Sequence, residues 1–340
     1  MIDGRLPWPL VFQVLGVIAA VALFVATWPV WLLMFTAIVV AAAILPAAAL
    51  GERYRVPRGV TVLIVYVAAA AVMTLMGRLL WPALNEQWKQ FMEHLPRLID
   101  NVKGWVGDLQ LLLRQWGAAT VSAPKPDDLQ SVAGALLANT VRLTAGTVGA
   151  VVELLAVLVV AAYLVIDARD IGRTLLAMLP PRARPVAALL APSVLNRVGG
   201  YVRGQLVSSL FVGVLIAIVL GLLGVRYSLL IGAMAAVFNI VPFVGATVAA
   251  VLAVLSALNE SITLALVTLA VMVGAQTVEG KLLAPHFVGR ATGLHALAVL
   301  VALLAGAHIA GLIGALVAVP LLAGVWEVIR VLYVEPQRHA

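Results

Sequence analysis

The stretch SLLIGAMAAVFNIVPFVGATVAAVLAVLS, Ser228–Ser256, decides the fold. It is apolar at both ends and broken in the middle by Asn239-Ile240-Val241-Pro242-Phe243-Val244-Gly245. One membrane span needs about 20 apolar residues. At 29 residues the stretch is long for one span and short for two. Split at the break, each half reaches only about 20 Å at 1.5 Å per residue, well short of a hydrocarbon core about 30 Å thick. Ala296–Ala323 poses the same problem with 28 residues, interrupted by Gly306, Gly311, Gly314 and Pro320. Two readings follow. Either both are single kinked spans, since membrane helices tolerate Gly and Pro, or both are re-entrant helical hairpins. Paired broken segments in the two halves of an inverted repeat point to a transporter binding site.

The rest of the chain gives these segments their setting. Of 340 residues, 64% are apolar and 11% charged, with a mean hydropathy of +1.11. A soluble domain carries about 25% charged residues, so this composition excludes a soluble globular enzyme and a disordered chain alike. Cysteine is absent, which excludes disulfides and thiolate metal sites. Full spans are predicted at Leu10–Trp28, Val30–Leu50, Val60–Trp81, Gly146–Ile166, Gln205–Val225 and Ser261–Val278. The fold class is therefore an all-α polytopic membrane protein, with about six full transmembrane helices plus two inverted hairpins, or eight spans in the alternative.

Charge sets the orientation. Gly51–Gly59 carries Arg53, Arg55 and Arg58, and Asp167–Arg203 carries Arg169, Arg173, Arg182, Arg184, Arg197 and Arg203. Positive loops stay in the cytoplasm. Pro82–Arg142 balances six basic against six acidic residues and is placed outside. Strict alternation puts the N-terminus in the cytoplasm. The hairpin reading also keeps Lys281, Arg290, Arg330 and Arg338 inside, whereas eight spans put Lys281 and Arg290 outside. The net charge of +7 is thus a topology signal and not a mark of nucleic-acid binding. The expected organisation is a three-helix scaffold (1–81), an extracytoplasmic helical segment (82–142), a fourth span (143–166) and an arginine-rich cytoplasmic loop (167–204). A carrier unit (205–323) and a cytoplasmic tail (324–340) complete it.

Trp88, Phe91, Leu95, Leu98, Val102, Trp105, Leu109, Leu112 and Trp116 are spaced alternately three and four apart, a heptad seam over four repeats. Lys89, Glu93, Asp100, Lys103, Asp108 and Arg114 occupy the opposite face. Such a stripe binds a neighbouring subunit in a homo-oligomer, lies flat in the bilayer interface, or packs on its own membrane domain.

No HExxH, CxxC, P-loop or GxSxG motif is present, so an enzyme reading has no residues to build on, and no metal or cofactor is expected. Polar residues inside apolar runs mark ion or substrate paths. Glu153 sits mid-span and is a candidate proton carrier. Gln276 and Glu279 share one helix face, and Glu279 is a second coupling candidate. His308 lies in the second break beside Gly306 and Gly311. Arg203 and Gln205 open the fifth span. Asn239 and Pro242 free backbone groups that can face a substrate. Each has a plainer reading: a hydrogen-bonded glutamate, a capped helix end, a topology anchor.

The run Gly199-Gly200-Tyr201-Val202-Arg203-Gly204-Gln205 resembles the motif that opens the C-terminal half of the autoinducer-2 exporter family. Asn239–Gly245 is similar to that family's Ile-Pro-Tyr-x-Gly signature, with Val241 and Phe243 in place of Ile and Tyr. Phe243 removes the hydroxyl a Tyr would offer. Gln276-Thr-Val-Glu279-Gly-Lys-Leu-Leu-Ala-Pro285, Gly289-Arg290, Gly293-Leu294-His295 and Gly311…Gly314…Pro320 continue the likeness in order. The resemblance implies a bacterial inner-membrane permease that exports small hydrophilic molecules. Some relatives are described as exporters of the quorum-sensing signal autoinducer-2 and others as sodium/proton antiporters. Its motifs make Arg203, Gln205, Asn239, Pro242, Phe243, Gly245, Gln276, Glu279 and Gly311 the candidate transport pathway; Gly306, His308 and Glu153 come from the residues alone.

The expected protein is a secondary transporter, coupled to protons or sodium, whose two hairpin units move as an elevator-like carrier against the scaffold. Its partners are the lipid bilayer, a small polar substrate and further copies of itself, a pentamer being one candidate. The competing classes are a sodium/proton antiporter, an oligomeric channel and a non-transporting membrane scaffold.

Overall fold

The computed structural model describes residues 8–115, 147–242, 244–281 and 294–335, and every regular element in them is helical. In chain order these are α1 (Trp8–Ala26), α2 (Trp28–Arg53), α3 (Arg58–Gln115), α4 (Thr147–Ile166) and α5 (Ala168–Met178). They continue with α6 (Arg184–Leu222), α7 (Ser228–Phe238), α8 (Val244–Leu258), α9 (Ile262–Val278) and α10 (Ala296–Ile329), which ends in the π-turn Arg330–Val334. Five described helices are long and apolar enough to cross a bilayer, and six if the bent pair of α4 and α5 counts as one. One of the five, Leu297–Val334, contains the fold-back described below.

Two helices are longer than the sequence pattern suggests. The third span and the outer amphipathic stretch form one helix, α3, of 58 residues. It runs through Pro82 and Pro96 and is about 87 Å long at 1.5 Å per residue. The fifth span likewise begins well before Gln205: α6 absorbs the second half of the arginine-rich loop and reaches 39 residues, with Pro192 inside it. A proline removes one backbone hydrogen bond and bends a helix, yet both helices run on through theirs.

Small residues bring the helices together. α2, α3 and α4 pack around Ala37, Ala41, Ala48 and Ala161. Lipid tails are as apolar as leucine, so helix contact in a bilayer relies on close backbone approach across small side chains. A Cβ on Gly213 of α6 would lie 2.7 Å from the Gly232 carbonyl of α7, and one on Gly232 would lie 2.6 Å from the Gly213 carbonyl. α6, α7, α8 and α9 close a second core around Val212, Ile216, Leu220, Ile231, Ala249, Ala253 and Met272.

Both broken segments fold back on themselves. Ser256 Oγ near the end of α8 donates to the Arg226 carbonyl before α7 at 3.0 Å. Beside it, Arg226 pairs with Glu260 at 2.7 Å. At the other end, a Cβ on Gly245 would sit 2.2 Å from the Asn239 amide nitrogen, so glycine is required where the arms meet. α10 leaves helical geometry at Ala310 and at Gly311, whose φ is 59°. A Cβ on Gly306 would lie 2.4 Å from the Gly314 carbonyl. In a straight helix those residues would be about 12 Å apart, so the two halves of α10 lie side by side.

Candidate functional site

The break of the first hairpin is built by the loss of backbone bonds. α7 ends with the Asn239 amide donating to the Ala235 carbonyl at 2.9 Å. Pro242 has no amide to continue the ladder. Asn239 is left in the interior, fully buried. Its Nδ2 donates to Glu279 Oε1 at the end of α9 at 2.6 Å. Gln205 Nε2 on α6 donates to the Asn239 carbonyl at 2.6 Å and lies 3.5 Å from Ser209 Oγ. Three elements thus meet in one polar knot, with Ser208 and Ser209 also buried on the α6 face.

The knot is incomplete. Asn239 Oδ1 is buried and has no hydrogen-bond partner among the described residues. A buried acceptor left open costs about 1–3 kcal/mol, and a polar solute or water donating to it recovers that. The arrangement offers an open carboxamide acceptor, a carboxylate and the Ser209 hydroxyl. That set suits hydroxyl groups on a small solute, a proton, or a small cation.

The other candidate residues lie elsewhere. Gln276 is exposed on α9. Arg203 is exposed and donates to the Ala42 and Ala43 carbonyls of α2 at 3.4 and 3.0 Å. Pro46 explains the opening: it lacks the amide that would otherwise bond Ala42. Gly199 lets α6 come close there, since a Cβ would fall 2.0 Å from the Ala42 carbonyl. Two residues apart on a helix, Arg203 and Gln205 point in nearly opposite directions, so Arg203 joins α6 to α2 while Gln205 serves the knot. Glu153 faces outward on α4 between exposed Val152 and Leu154.

The second hairpin meets the first along its arms. Val241 in the first break packs with Leu303, Ala315 and Val319 from both arms of the second, and with Tyr201 of α6. His308 is exposed two residues before Ala310, and Gly311 forms the reversal. Phe243 and Trp116 lie outside the described residues, as do the side chains of Leu98, Val102, Trp105, Leu109 and Leu112. The described start of the heptad seam packs on its own chain. Phe91 stands edge-on to Tyr227 at 5.5 Å, and Trp88 packs on the same core. Gln87 Oε1 accepts the Leu230 amide at 2.9 Å, and Tyr227 donates to the Gln90 carbonyl at 3.3 Å.

Sequence reasoning missed one buried charge. Glu327, assigned to the tail, is 1% exposed. Ser193 donates to it, Arg197 pairs with it, and Arg330 contacts it at 2.8 Å. The signal was present: Ser193 and Arg197 are four apart, Glu327 and Arg330 three apart, so each pair shares a helix face. The cluster fastens the returning arm of the second hairpin to α6. Among the described residues no cluster of three or more His, Asp and Glu side chains is placed to hold a metal ion.

Residues 11–333 match the family described as AI-2E family transporter. YrrI of Bacillus subtilis is 28% identical over 281 residues, covering 78% of this chain and 75% of the relative. sll0063 of Synechocystis is 29% identical over 322 residues, covering 90% of this chain and 74% of the relative. YueF of Bacillus subtilis is 25% identical over 277 residues, covering 79% and 75%. All three are named, provisionally, as transport proteins.

Proposed function

The chain belongs to the AI-2E transporter family, and from that premise we propose that it is a secondary carrier exporting a small hydrophilic solute, such as autoinducer-2, across the bacterial inner membrane. The observation that carries the proposal is the buried knot of Gln205, Asn239 and Glu279 with its open Asn239 acceptor. A soluble solute crossing a bilayer needs polar partners inside it, and irregular backbone is tolerated at membrane depth only where protein or a water-filled cavity surrounds it. The two hairpins enter from opposite sides, and the first break and the arms of the second form the wall of the path. α7 to α10 move with α6, to which Glu327 fastens the returning arm of α10, against the scaffold of α2 to α4, and the entering arm of α10 opens and closes as the gate. The arginine-rich ends and both termini face the cytoplasm.

Glu279 is the coupling residue in this mechanism and Glu153 is not, because Glu279 bonds the hairpin tip while Glu153 faces outward. A proton or sodium ion arriving at Glu279 competes with the Asn239 bond, which links ion occupancy to the state of the knot. The same bond favours a second reading, sodium/proton antiport, in which the ion is itself the cargo. Flux in proteoliposomes separates them. A panel of small polar solutes including autoinducer-2 is supplied under an imposed pH or sodium gradient, and internal pH is followed in parallel. The carrier reading expects saturable, gradient-driven flux of one solute, lost in Glu279→Gln. Proton–sodium exchange with no organic solute moved establishes antiport. Non-saturating current contradicts both.

A further inference from the structure

α5 carries a feature the transport path does not use. It leaves α4 at 75°, separated from it by the single residue Asp167. α4 carries no charged residue except Glu153, so a helix leaving its end at that angle runs close to the membrane plane. Its sequence, ARDIGRTLLAM, is cleanly two-sided. Ile171, Leu175 and Met178 recur at four and three residues on one face, Arg169, Asp170 and Arg173 occupy the other, and Thr174, four residues before Met178, borders the apolar side. None of its residues is buried in the protein. Leu175 is 59% exposed and Met178 75% exposed.

The surroundings are cationic. Arg169 pairs with Glu52 at 2.9 Å, which sets the start of α5 against the end of α2. There Arg53, Tyr54 and Arg55 are exposed. Arg184 donates to the Leu179 and Ala177 carbonyls, both at 3.0 Å, and so completes the C-terminal end of α5. Arg53, Arg55 and Arg182 are exposed and have no ion-pair partner among the described residues.

We propose that α5 lies in the headgroup layer of the leaflet on the arginine-rich side, with Leu175 and Met178 in the acyl boundary and Arg53, Arg55 and Arg182 binding anionic phospholipid headgroups. An amphipathic helix with basic flanks takes this position, and the positive charge selects anionic lipid. The site is independent of what the carrier moves.

The test exploits the absence of native cysteine. Leu175→Cys, Met178→Cys and Arg173→Cys proteins are labelled with a polarity-sensitive fluorophore and placed in nanodiscs containing lipids with brominated chains. Labels at positions 175 and 178 shift to the blue and are quenched by bromine, and the label at 173, on the opposite face, is not. In parallel, the thermal midpoint of the unlabelled protein is read with added phosphatidylglycerol or phosphatidylcholine. Wild type is raised more by phosphatidylglycerol, and Arg53→Gln/Arg55→Gln/Arg182→Gln loses that difference, with lipid preference falling roughly fivefold per arginine. Arg182→Gln alone serves if the triple variant does not fold. Labels at 175 and 178 that bromine does not quench overturn the proposal, whether they are in water or against a second copy of the chain. So does a phosphatidylglycerol preference unchanged in the arginine variants.

Discussion

The two hairpins share a shape and differ in what holds them. The first is tied at its open end by Arg226–Glu260 and the Ser256 bond, and at its tip by Asn239 bonding α9 and α6. The second has glycine against glycine along its arms and a tip where His308, Ile309 and Leu312 are exposed. Its returning arm is fastened to α6 through Glu327, but the entering arm, Ala296 to Ile309, has no such bond among the described residues. The first hairpin is therefore built to hold polar groups in fixed geometry. The second has one arm fixed by an ion-pair cluster and one held by apolar contact alone, Leu303 on Val241 and Tyr201 and Gly306 against Gly314. In the carrier mechanism proposed above, the first is the binding wall and the entering arm of the second, which has no polar tie among the described residues, is the gate.

Breaking the second hairpin gives the largest effect. In Gly314→Val the new side chain begins 2.1 Å from the Gly306 carbonyl. Backbone cannot yield there, and the cost is about 3 kcal/mol, the upper end for overpacking. The thermal midpoint in detergent and the yield of monodisperse protein both fall. Gly311→Ala is milder, because nothing lies within 4 Å of a Cβ there. The penalty is conformational alone, at φ 59° and ψ −141°, and amounts to about 2 kcal/mol. Thermal unfolding of that variant measures it directly.

Asn239→Ala and His308→Ala sharpen the contrast between wall and gate. Removing Asn239 deletes the link to Glu279, and solute flux falls about tenfold, equivalent to about 1.4 kcal/mol. Flux through His308→Ala stays within about twofold of wild type, since its ring is exposed and outside the knot. Equal losses in the two variants would dissolve the distinction. Arg226→Ala comes last. Its pair with Glu260 is 55% and 35% exposed, so stability changes by less than about 1 kcal/mol and the change shrinks with added salt.

Much of this was legible in the sequence because bilayer thickness is a strict ruler. The lengths of Ser228–Ser256 and Ala296–Ala323 raised the fold-back before any coordinates, and Asn239, Glu279 and Gln205 were marked as polar residues in apolar runs. Glycines at 245, 306, 311 and 314 were read as breaks, and three of them prove to be contact points as well, which depends on a facing backbone that no local pattern reveals. Pro82 suggested a boundary within what became one helix, since a proline bend and a proline end look alike in sequence. Glu327 was overlooked because its partners Ser193 and Arg197 lie over 100 residues earlier in the chain. The partnership of Arg203 with the Ala42 carbonyl needed two facts at once, the missing amide of Pro46 and the close approach at Gly199.

The central claim is that the tip of the first hairpin lines a path open alternately to the two sides. Ser209→Cys tests it most directly, because Ser209 is 2% exposed, lies beside Gln205, and would be the chain's single thiol. In oriented vesicles the rate of modification by a membrane-impermeant thiol reagent is read from each side, with and without autoinducer-2 or the solute that flux selects. Alternating access predicts modification from both sides, slowed by the solute on each. A thiol reached from neither side, or from one side only with no effect of solute, would contradict it.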